Sequence, residues 1–179
     1  MAKLLLLLIC ASVLACASTP TPQTLPNLYQ VRPGLWRSGQ PTTGEHWAQV
    51  KALGVSQIVK LNFETEGSDD GGRALGITVY SLSIQPNGDT DVFDAMANTF
   101  VKPDPDLLAR AQTVIQSGGG VLVHCTYGMD RTGLVIGQSR VLVDGWTKDR
   151  AYAEMLDRGF RPMLRGLREA WEAWTPTNL

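Results

Sequence analysis

Residues 118 to 133, GGGVLVHCTYGMDRTG, contain the strongest structural signal in the chain. Its three glycines break any preceding element, and Val121 to Val123 form a short apolar run typical of a buried strand. Residues 131 to 143 then carry apolar side chains in a pattern that predicts a helix packed on a sheet. A strand that enters a helix through so short a loop directs backbone N–H groups and the positive end of the helix dipole at one point. That point is expected to bind anions.

The loop places a nucleophile and a cation at the two ends of this anion site. Cys125 comes first, and the N–H groups that would hold a phosphate also stabilise a thiolate. Arg131 comes last and offers a planar fork for two phosphate oxygens. Thr132 offers a hydroxyl to the cysteine sulfur when that sulfur must leave, and Gly128 and Gly133 allow the backbone to approach bound oxygens. These residue types predict covalent phosphoryl transfer.

The loop resembles the H-C-x-x-G-x-x-R-[ST]-G signature of cysteine-dependent protein phosphatases, at His124, Cys125, Gly128, Arg131, Thr132 and Gly133. The resemblance is to the compact dual-specificity branch and its bacterial tyrosine-phosphatase-like relatives. It extends to VRPGLWRSGQPT (31–42), VSQIVKLNFETE with its acidic end (55–66) and DGWTKDRAYAEMLDRGF (144–160), and so covers about residues 28 to 160. It implies that Cys125 attacks phosphorus without a metal or organic cofactor. The implied substrate-binding loop comprises Thr126, Tyr127, Gly128, Met129, Asp130 and Arg131.

The resemblance also implies an aspartate that protonates the leaving oxygen, on a loop upstream of the cysteine. The segment SLSIQPNGDTDVFDAM, residues 81 to 96, contains Asp89, Asp91 and Asp94. Asp89 is most similar to the dual-specificity pattern, although its distance from Cys125 requires an insertion, and Asp91 is the second candidate. The alternative is that all three are solvated loop carboxylates.

Other polar residues receive structural interpretations. His124 is expected to orient the loop from behind rather than to enter the chemistry, and His46 is expected on a helix surface. Asp130 either stiffens the loop through a salt bridge or hydrogen bond, or tunes it against polyanionic substrates. Two histidines and one available thiol predict no metal site. A Cys-x5-Arg spacing also arises by chance around a buried core cysteine, but the flanking His, Gly and Thr-Gly argue against that reading.

The first residues, MAKLLLLLICASVLACAS, predict export. The apolar stretch from Leu4 to about Ala15 is too short to span a bilayer, which needs roughly 20 residues, and is typical of a secretion signal. Its end resembles a bacterial lipobox, which implies a signal peptide at 1–15, lipidation of Cys16 and a Thr/Pro-rich tether over 16–27. By analogy, Ala17 implies an outer-membrane anchor facing the periplasm; the alternative is an ordinary signal peptide cut near Ala17. Removal of Cys10 and acylation of Cys16 would leave Cys125 without an intramolecular partner.

Residues 28–174 are expected to form one phosphatase domain, followed by a tail over 175–179. The predicted strands, besides the one before Cys125, are Leu35–Ser38, Val55–Phe63 and Ile77–Ile84. The other predicted helices are Thr43–Leu53, Gly72–Leu75, Asp104–Gln116, Lys148–Arg158 and Pro162–Trp174. This alternation predicts an α/β fold with a mainly parallel sheet of four to five strands, helices on both faces and the signature loop at the carboxyl edge.

The charged residues of the chain limit the classes of partner that it is expected to bind. The chain has 16 Lys and Arg against 17 Asp and Glu, and its basic residues form no run, which argues against a nucleic-acid partner. The loop lacks the lysines expected for a multiply phosphorylated inositol, which favours phosphotyrosine, or phosphoserine and phosphothreonine, on protein, or a small phosphomonoester. The alternatives are an inositol-phosphate or phosphoinositide phosphatase, a phosphate-binding pseudophosphatase and a rhodanese-like sulfurtransferase.

Overall fold

One five-stranded sheet organises the protein. The computed structural model describes residues 24–85 and 102–176, so the predicted signal peptide, Cys16 and the three candidate acids Asp89, Asp91 and Asp94 lie outside the described residues. The strands are β1 (Tyr29–Arg32), β2 (Leu35–Ser38), β3 (Gln57–Lys60), β4 (Thr78–Ser81) and β5 (Val121–His124), in the order β1-β2-β5-β3-β4. β1 pairs antiparallel with β2, and the other three pairings are parallel.

Helices connect these strands and begin at recognisable capping residues. They are α1 (Gly44–Ala52), α2 (Asp70–Ala74), α3 (Pro105–Gln116), α4 (Asp130–Leu142), α5 (Lys148–Asp157) and α6 (Arg165–Ala173), with a 3-10 turn at Glu64–Glu66. The side chains of Thr43, Asp104 and Thr147 each accept a hydrogen bond from the first turn of the helix that follows. Pro105 begins α3, where its missing N–H is not needed.

Alternation along β5 builds two apolar cores, one on each face of the sheet. Leu122 packs in a cluster with Ile58 and with Trp47 of α1. Val123, one residue later, belongs to the larger cluster of α3, α4, α5 and α6. The predicted α/β architecture, a mostly parallel sheet with helices on both faces, is therefore confirmed.

The register of the sheet brings the site segments together. His124, at the end of β5, lies opposite Ser38 at the end of β2 and Lys60 at the end of β3. These strands run parallel, so the chain leaves all three at the carboxyl edge of the sheet. The signature loop is therefore flanked by the segments that follow β2 and β3.

Several expectations differ from the structure. The strand β1 was not predicted; it forms a hairpin with β2 through Gly34, whose φ is +78°. The packed domain begins before Leu28, because Leu25 is buried and its N–H donates to the Gln49 side chain at 2.9 Å. The prediction for His46 is wrong: the ring is buried and its Nδ1 accepts from a backbone N–H at 3.1 Å.

The predicted strand and helix bounds are too long where apolar sequence continues past the hydrogen-bonded ladder. β3 and β4 pair over four residues only, from Gln57↔Thr78 to Lys60↔Ser81. Leu61 and Ile84 remain buried outside the strands, so their hydrophobicity extended the predicted segments. The last helix begins at Arg165 rather than Pro162. Within the described ranges, no helix is long and apolar enough to cross a membrane.

Candidate active site

The signature loop runs from the end of β5 into α4. Cys125 directly follows the strand and is a free, buried thiol, 2% exposed. α4 begins at Asp130, so Arg131 and Thr132 lie in its first turn and are themselves buried. The sequence therefore places the nucleophile and the cation on two rigid elements joined by a loop of five residues, 125 to 129.

Gly128 is required by the close packing of the loop on the end of β2. Its φ is +71°, and a Cβ there would lie 2.4 Å from the Ser38 carbonyl carbon and 2.5 Å from the Gly39 nitrogen. A real Cβ does not approach backbone so closely, and an L side chain rarely adopts this φ. Gly133 differs from the expectation of close approach, since a Cβ there would meet nothing nearer than 3.6 Å, a carbon of the Phe160 ring.

Arg37, in the middle of β2, supports the same loop from the neighbouring strand. One Nη donates to the Gly128 carbonyl at 2.8 Å, and the side chain is 2% exposed. Burial lowers its pKa to about 10, so it remains a cation at neutral pH. Sequence reasoning missed this residue; the signal was an arginine inside the short strand LWRS.

Arg131 is held by a second residue that sequence reasoning did not single out, Glu66. The two terminal nitrogens of Arg131 lie 2.8 and 2.6 Å from the two carboxylate oxygens of Glu66 and form a bidentate pair with them. The Thr126 hydroxyl donates to Glu66 at 2.8 Å and accepts from Arg131 at 2.8 Å. The terminal nitrogen that faces Oε2 also donates to the Ile84 carbonyl at 3.3 Å. Glu66 lies in the acidic end of VSQIVKLNFETE, the feature that could have revealed it.

The electrostatics of this pair favour both charged forms. Hydrogen bonds from Arg131 lower the pKa of Glu66 to about 2, although partial burial opposes the shift. Burial by itself lowers the pKa of Arg131, but the Glu66 hydrogen bond and the nearby Cys125 sulfur outweigh burial and raise it. The guanidinium beside the thiol is therefore a permanent, oriented cation.

The remaining residues of the loop and of the start of α4 differ in their exposure to solvent. Tyr127 is 59% exposed, and Met129 is the residue that precedes α4. Asp130 is buried and accepts from the backbone N–H of Arg161 at 2.9 Å and from its Nη2 at 2.7 Å. This is the salt bridge that the sequence offered as the first interpretation of Asp130, and it ties the loop to the segment after α5.

Thr132 and His124 occupy buried positions on either side of the nucleophile. The Thr132 hydroxyl has no hydrogen-bond partner in the described part of the chain, so the expected contact with the Cys125 sulfur is not made in this structure. His124 points away from the loop, and its Nε2 lies 2.9 Å from a carboxylate oxygen of Asp69. Residues 24–85 and 102–176 bring no three His, Cys, Asp or Glu side chains together in a way that could hold a metal ion.

The family model described as "Tyrosine phosphatase family" matches residues 24–144. The chain belongs to the tyrosine phosphatase family. A relative in this family is the dual specificity protein phosphatase TpbA of Pseudomonas aeruginosa, which is 33% identical over 135 residues. The match covers 75% of this chain and 55% of TpbA, so the chain spans about half the length of this curated relative.

Two solved structures have a similar fold. The crystal structure of P. aeruginosa TpbA, with a cysteine replaced by serine and in complex with phosphotyrosine, matches with a TM-score of 0.61 and 25% identity over 83% of this chain and 84% of that one. The core catalytic domain of the PP-IP phosphatase SIW14 from S. cerevisiae, in complex with citrate, matches with a TM-score of 0.67 and 21% identity over 87% and 89%. The SIW14 match is informative about the fold alone.

Proposed function

We propose that this tyrosine phosphatase family protein hydrolyses phosphomonoesters, above all protein phosphotyrosine, through a cysteinyl-phosphate intermediate. The observation that carries the proposal is the buried Cys125 at the end of β5, beside an Arg131 guanidinium whose direction is set by Glu66. A thiol and an oriented cation at the N-terminus of a helix are the groups that such a reaction requires.

The first chemical step forms a sulfur–phosphorus bond. The Cys125 thiolate attacks phosphorus in line with the ester bond, which breaks, and the leaving oxygen takes a proton from Asp89. Arg131 and the loop amides from Thr126 onward hold the equatorial oxygens. In the second step, water gives a proton to the Asp89 carboxylate and attacks phosphorus, the sulfur–phosphorus bond breaks, and Cys125 leaves as a thiolate with inorganic phosphate as the product.

Glu66 contributes to this reaction by fixing Arg131 before the substrate arrives. The bidentate pair and the Ile84 carbonyl use both terminal nitrogens of the guanidinium, so its plane has little freedom to turn. Glu66 therefore places the cation beside the thiol in advance, and the N–H groups that donate to Thr126 and the Ile84 carbonyl turn to the phosphoryl oxygens when the substrate binds. We therefore assign Glu66 an orienting role rather than contact with the substrate.

The charge of the loop favours phosphotyrosine over inositol polyphosphates. Positions 126 to 130 carry no cation, and the nearby Arg161 is already paired with the buried Asp130. A multiply phosphorylated ring would thus find little additional positive charge at the loop. The phosphotyrosine bound in the TpbA structure supports the same choice.

The location of the reaction is proposed from the sequence alone. The lipobox-like residues before Cys16 and the Thr/Pro-rich segment after it favour a lipid anchor in the bacterial envelope, with the domain facing the periplasm. A substrate in that compartment would be a phosphorylated envelope protein or a small phosphomonoester.

A substrate panel tests this function. We expect the purified protein to release phosphate from phosphotyrosyl peptides with a kcat/KM at least about tenfold above that for phosphoseryl peptides or inositol hexakisphosphate, a difference of about 1.4 kcal/mol in transition-state stabilisation. Tight binding of phosphotyrosyl peptide without turnover would instead show a pseudophosphatase. Sulfur transfer from thiosulfate to cyanide would show a rhodanese-like enzyme.

A further inference from the structure

A network of buried polar side chains lies behind the signature loop, on the side of the sheet away from the thiol. It comprises Gln40, Lys60, Asn62, Asp69 and His124, each at most 4% exposed. Asp69, the residue before α2, is at its centre: one carboxylate oxygen lies 2.9 Å from His124 Nε2, and the other lies 2.7 Å from Gln40 Nε2 and 3.7 Å from Lys60 Nζ. Asn62 in turn donates to Gln40 at 2.8 Å.

The pleat of β5 explains how this network reaches the nucleophile. Val123 and Cys125 both belong to the core on the α3–α6 face. His124 stands between them and therefore points to the opposite face, where Lys60 and Asp69 lie. The imidazole and its backbone are thus the direct connection between the Asp69 carboxylate and the first residue of the loop.

The chemistry of Asp69 dictates the tautomer of this ring. Burial raises the pKa of Asp69, but the hydrogen bond and charge of His124, a hydrogen bond from Gln40 and the charge of Lys60 outweigh burial and lower it, so the group is a carboxylate. A carboxylate only accepts hydrogen bonds, so Nε2 must carry a proton, and in a neutral ring this is the only ring proton on nitrogen. Nδ1 is buried and has no hydrogen-bond partner within the described ranges, so a proton on Nδ1 would have no acceptor there.

The geometry points to Asp69 as a positioning residue of the reaction: it fixes the tautomer and orientation of His124 and, through that ring, the placement of Cys125 in the loop. This inference deepens the proposed function and rests on it for its relevance to turnover. Lys60 balances the charge of Asp69 and itself lies 3.0 Å from Glu64, so the charged groups around the ring come from β3, the 3-10 turn and the residue before α2.

Replacement of Asp69 by asparagine tests the inference with little change in volume. An amide can present its NH2 group as well as its oxygen, so the ring is no longer confined to one tautomer. We expect Asp69→Asn to slow the alkylation of Cys125 by iodoacetamide at mildly acidic pH by about tenfold. This is the lower end of the effect that follows when a metal-binding histidine loses its carboxylate partner. The rate is followed on the Cys125 peptide by mass spectrometry, and kcat should fall by a similar factor while KM is unchanged.

Two further variants separate positioning from a general structural role. Asp70→Asn is the matched control, because Asp70 is the next residue, is exposed and pairs with Arg73 at 3.0 Å; it should leave alkylation unchanged. In a His124→Gln background, Asp69→Asn should slow alkylation no further, since its effect passes through the ring. Equal alkylation rates for folded Asp69→Asn and Asp70→Asn, or a full additional loss in the His124→Gln background, would overturn the inference.

Alkylation does not depend on phosphatase turnover, so the two proposals fail separately. A wild type that releases no phosphate but whose thiol responds to Asp69→Asn would remove the proposed function and keep the positioning role. If Asp69→Asn does not fold, long-range proton–nitrogen NMR on the wild type decides. A proton on His124 Nε2 supports the inference, and an Nε2 without a proton overturns it.

Discussion

Arg131 shows how one residue acquires a fixed role before any substrate is present. Both of its terminal nitrogens donate to Glu66, and the same nitrogens also reach Thr126 and the Ile84 carbonyl. A lysine has no planar fork and cannot reproduce this arrangement. The position therefore requires an arginine for its protein partners as well as for phosphate.

The identity of the proton donor can be tested by kinetics on substrates with different leaving groups. If Asp89 protonates the leaving group, Asp89→Asn should cost on the order of a hundredfold on phenyl phosphate or a phosphotyrosyl peptide. The loss on para-nitrophenyl phosphate should be much smaller, because that phenolate leaves without a proton. Steady-state kinetics on both substrates measure the difference.

Neighbouring carboxylates provide the controls for this prediction. Asp91→Asn and Asp94→Asn should show no such dependence on the leaving group. If Asp91→Asn shows the dependence and Asp89→Asn does not, Asp91 is the donor and our assignment is wrong.

The site residues that lie close together in the sequence could be predicted from it, and the distant ones could not. Cys125 and Arg131 lie six positions apart in one strand–loop–helix unit, so the sequence alone brings them together. Glu66 and Asp69 lie more than fifty residues from the loop, and only the pairing of β3 with β5 makes them neighbours. The acidic end of VSQIVKLNFETE could mark Glu66 as a candidate, but it does not show that this carboxylate contacts the loop.

At the scale of elements, the 3-10 turn after β3 matters because it carries Glu66 to the loop. The folded-state pKa of Glu66, about 2, lies below its ordinary value of 4.5. Its contribution to stability is therefore fully present above pH 4.5 and is lost as the pH falls through about 2. Urea unfolding of wild type and Glu66→Gln from neutral to acidic pH measures this contribution as the difference between the two free energies.

The expected difference is constant at neutral pH and shrinks through the acid range below pH 4.5. A Glu66 difference that stays constant down to pH 2 would show that the carboxylate charge does not stabilise the fold.

The type of most helices and strands could be predicted from periodicity and capping, whereas the edge strand β1 and the packing of Leu25 could not. The helix from Pro105 could be read from Asp104 and the proline after it, because a cap is a local signal. β1 could not, because YQVR has little apolar pattern and is stabilised by its pairing with β2. The burial of Leu25 likewise depends on α1, which the preceding Thr/Pro-rich sequence does not reveal.

For the molecule as a whole, the lipid anchor proposed at Cys16 predicts that the protein is attached to a membrane. A Cys16→Ser variant should move from the membrane fraction to the soluble periplasmic fraction, because acyl chains supply the membrane affinity. Its specific activity should equal that of wild type, since Cys16 precedes residues 24–144, which match the family model. Fractionation and N-terminal mass spectrometry measure both outcomes; a wild type that is wholly soluble with an unmodified Cys16 would refute the anchor.

Cys125 is the proposed nucleophile, and turnover by the Cys125→Ser variant tests this role. The serine has nearly the same volume, so the fold should be unchanged by circular dichroism, but its hydroxyl is not ionised by the loop. We predict a loss of several orders of magnitude in the hydrolysis of phosphotyrosyl peptide and para-nitrophenyl phosphate. A folded Cys125→Ser protein that retains more than about a hundredth of the wild-type rate would contradict the covalent mechanism.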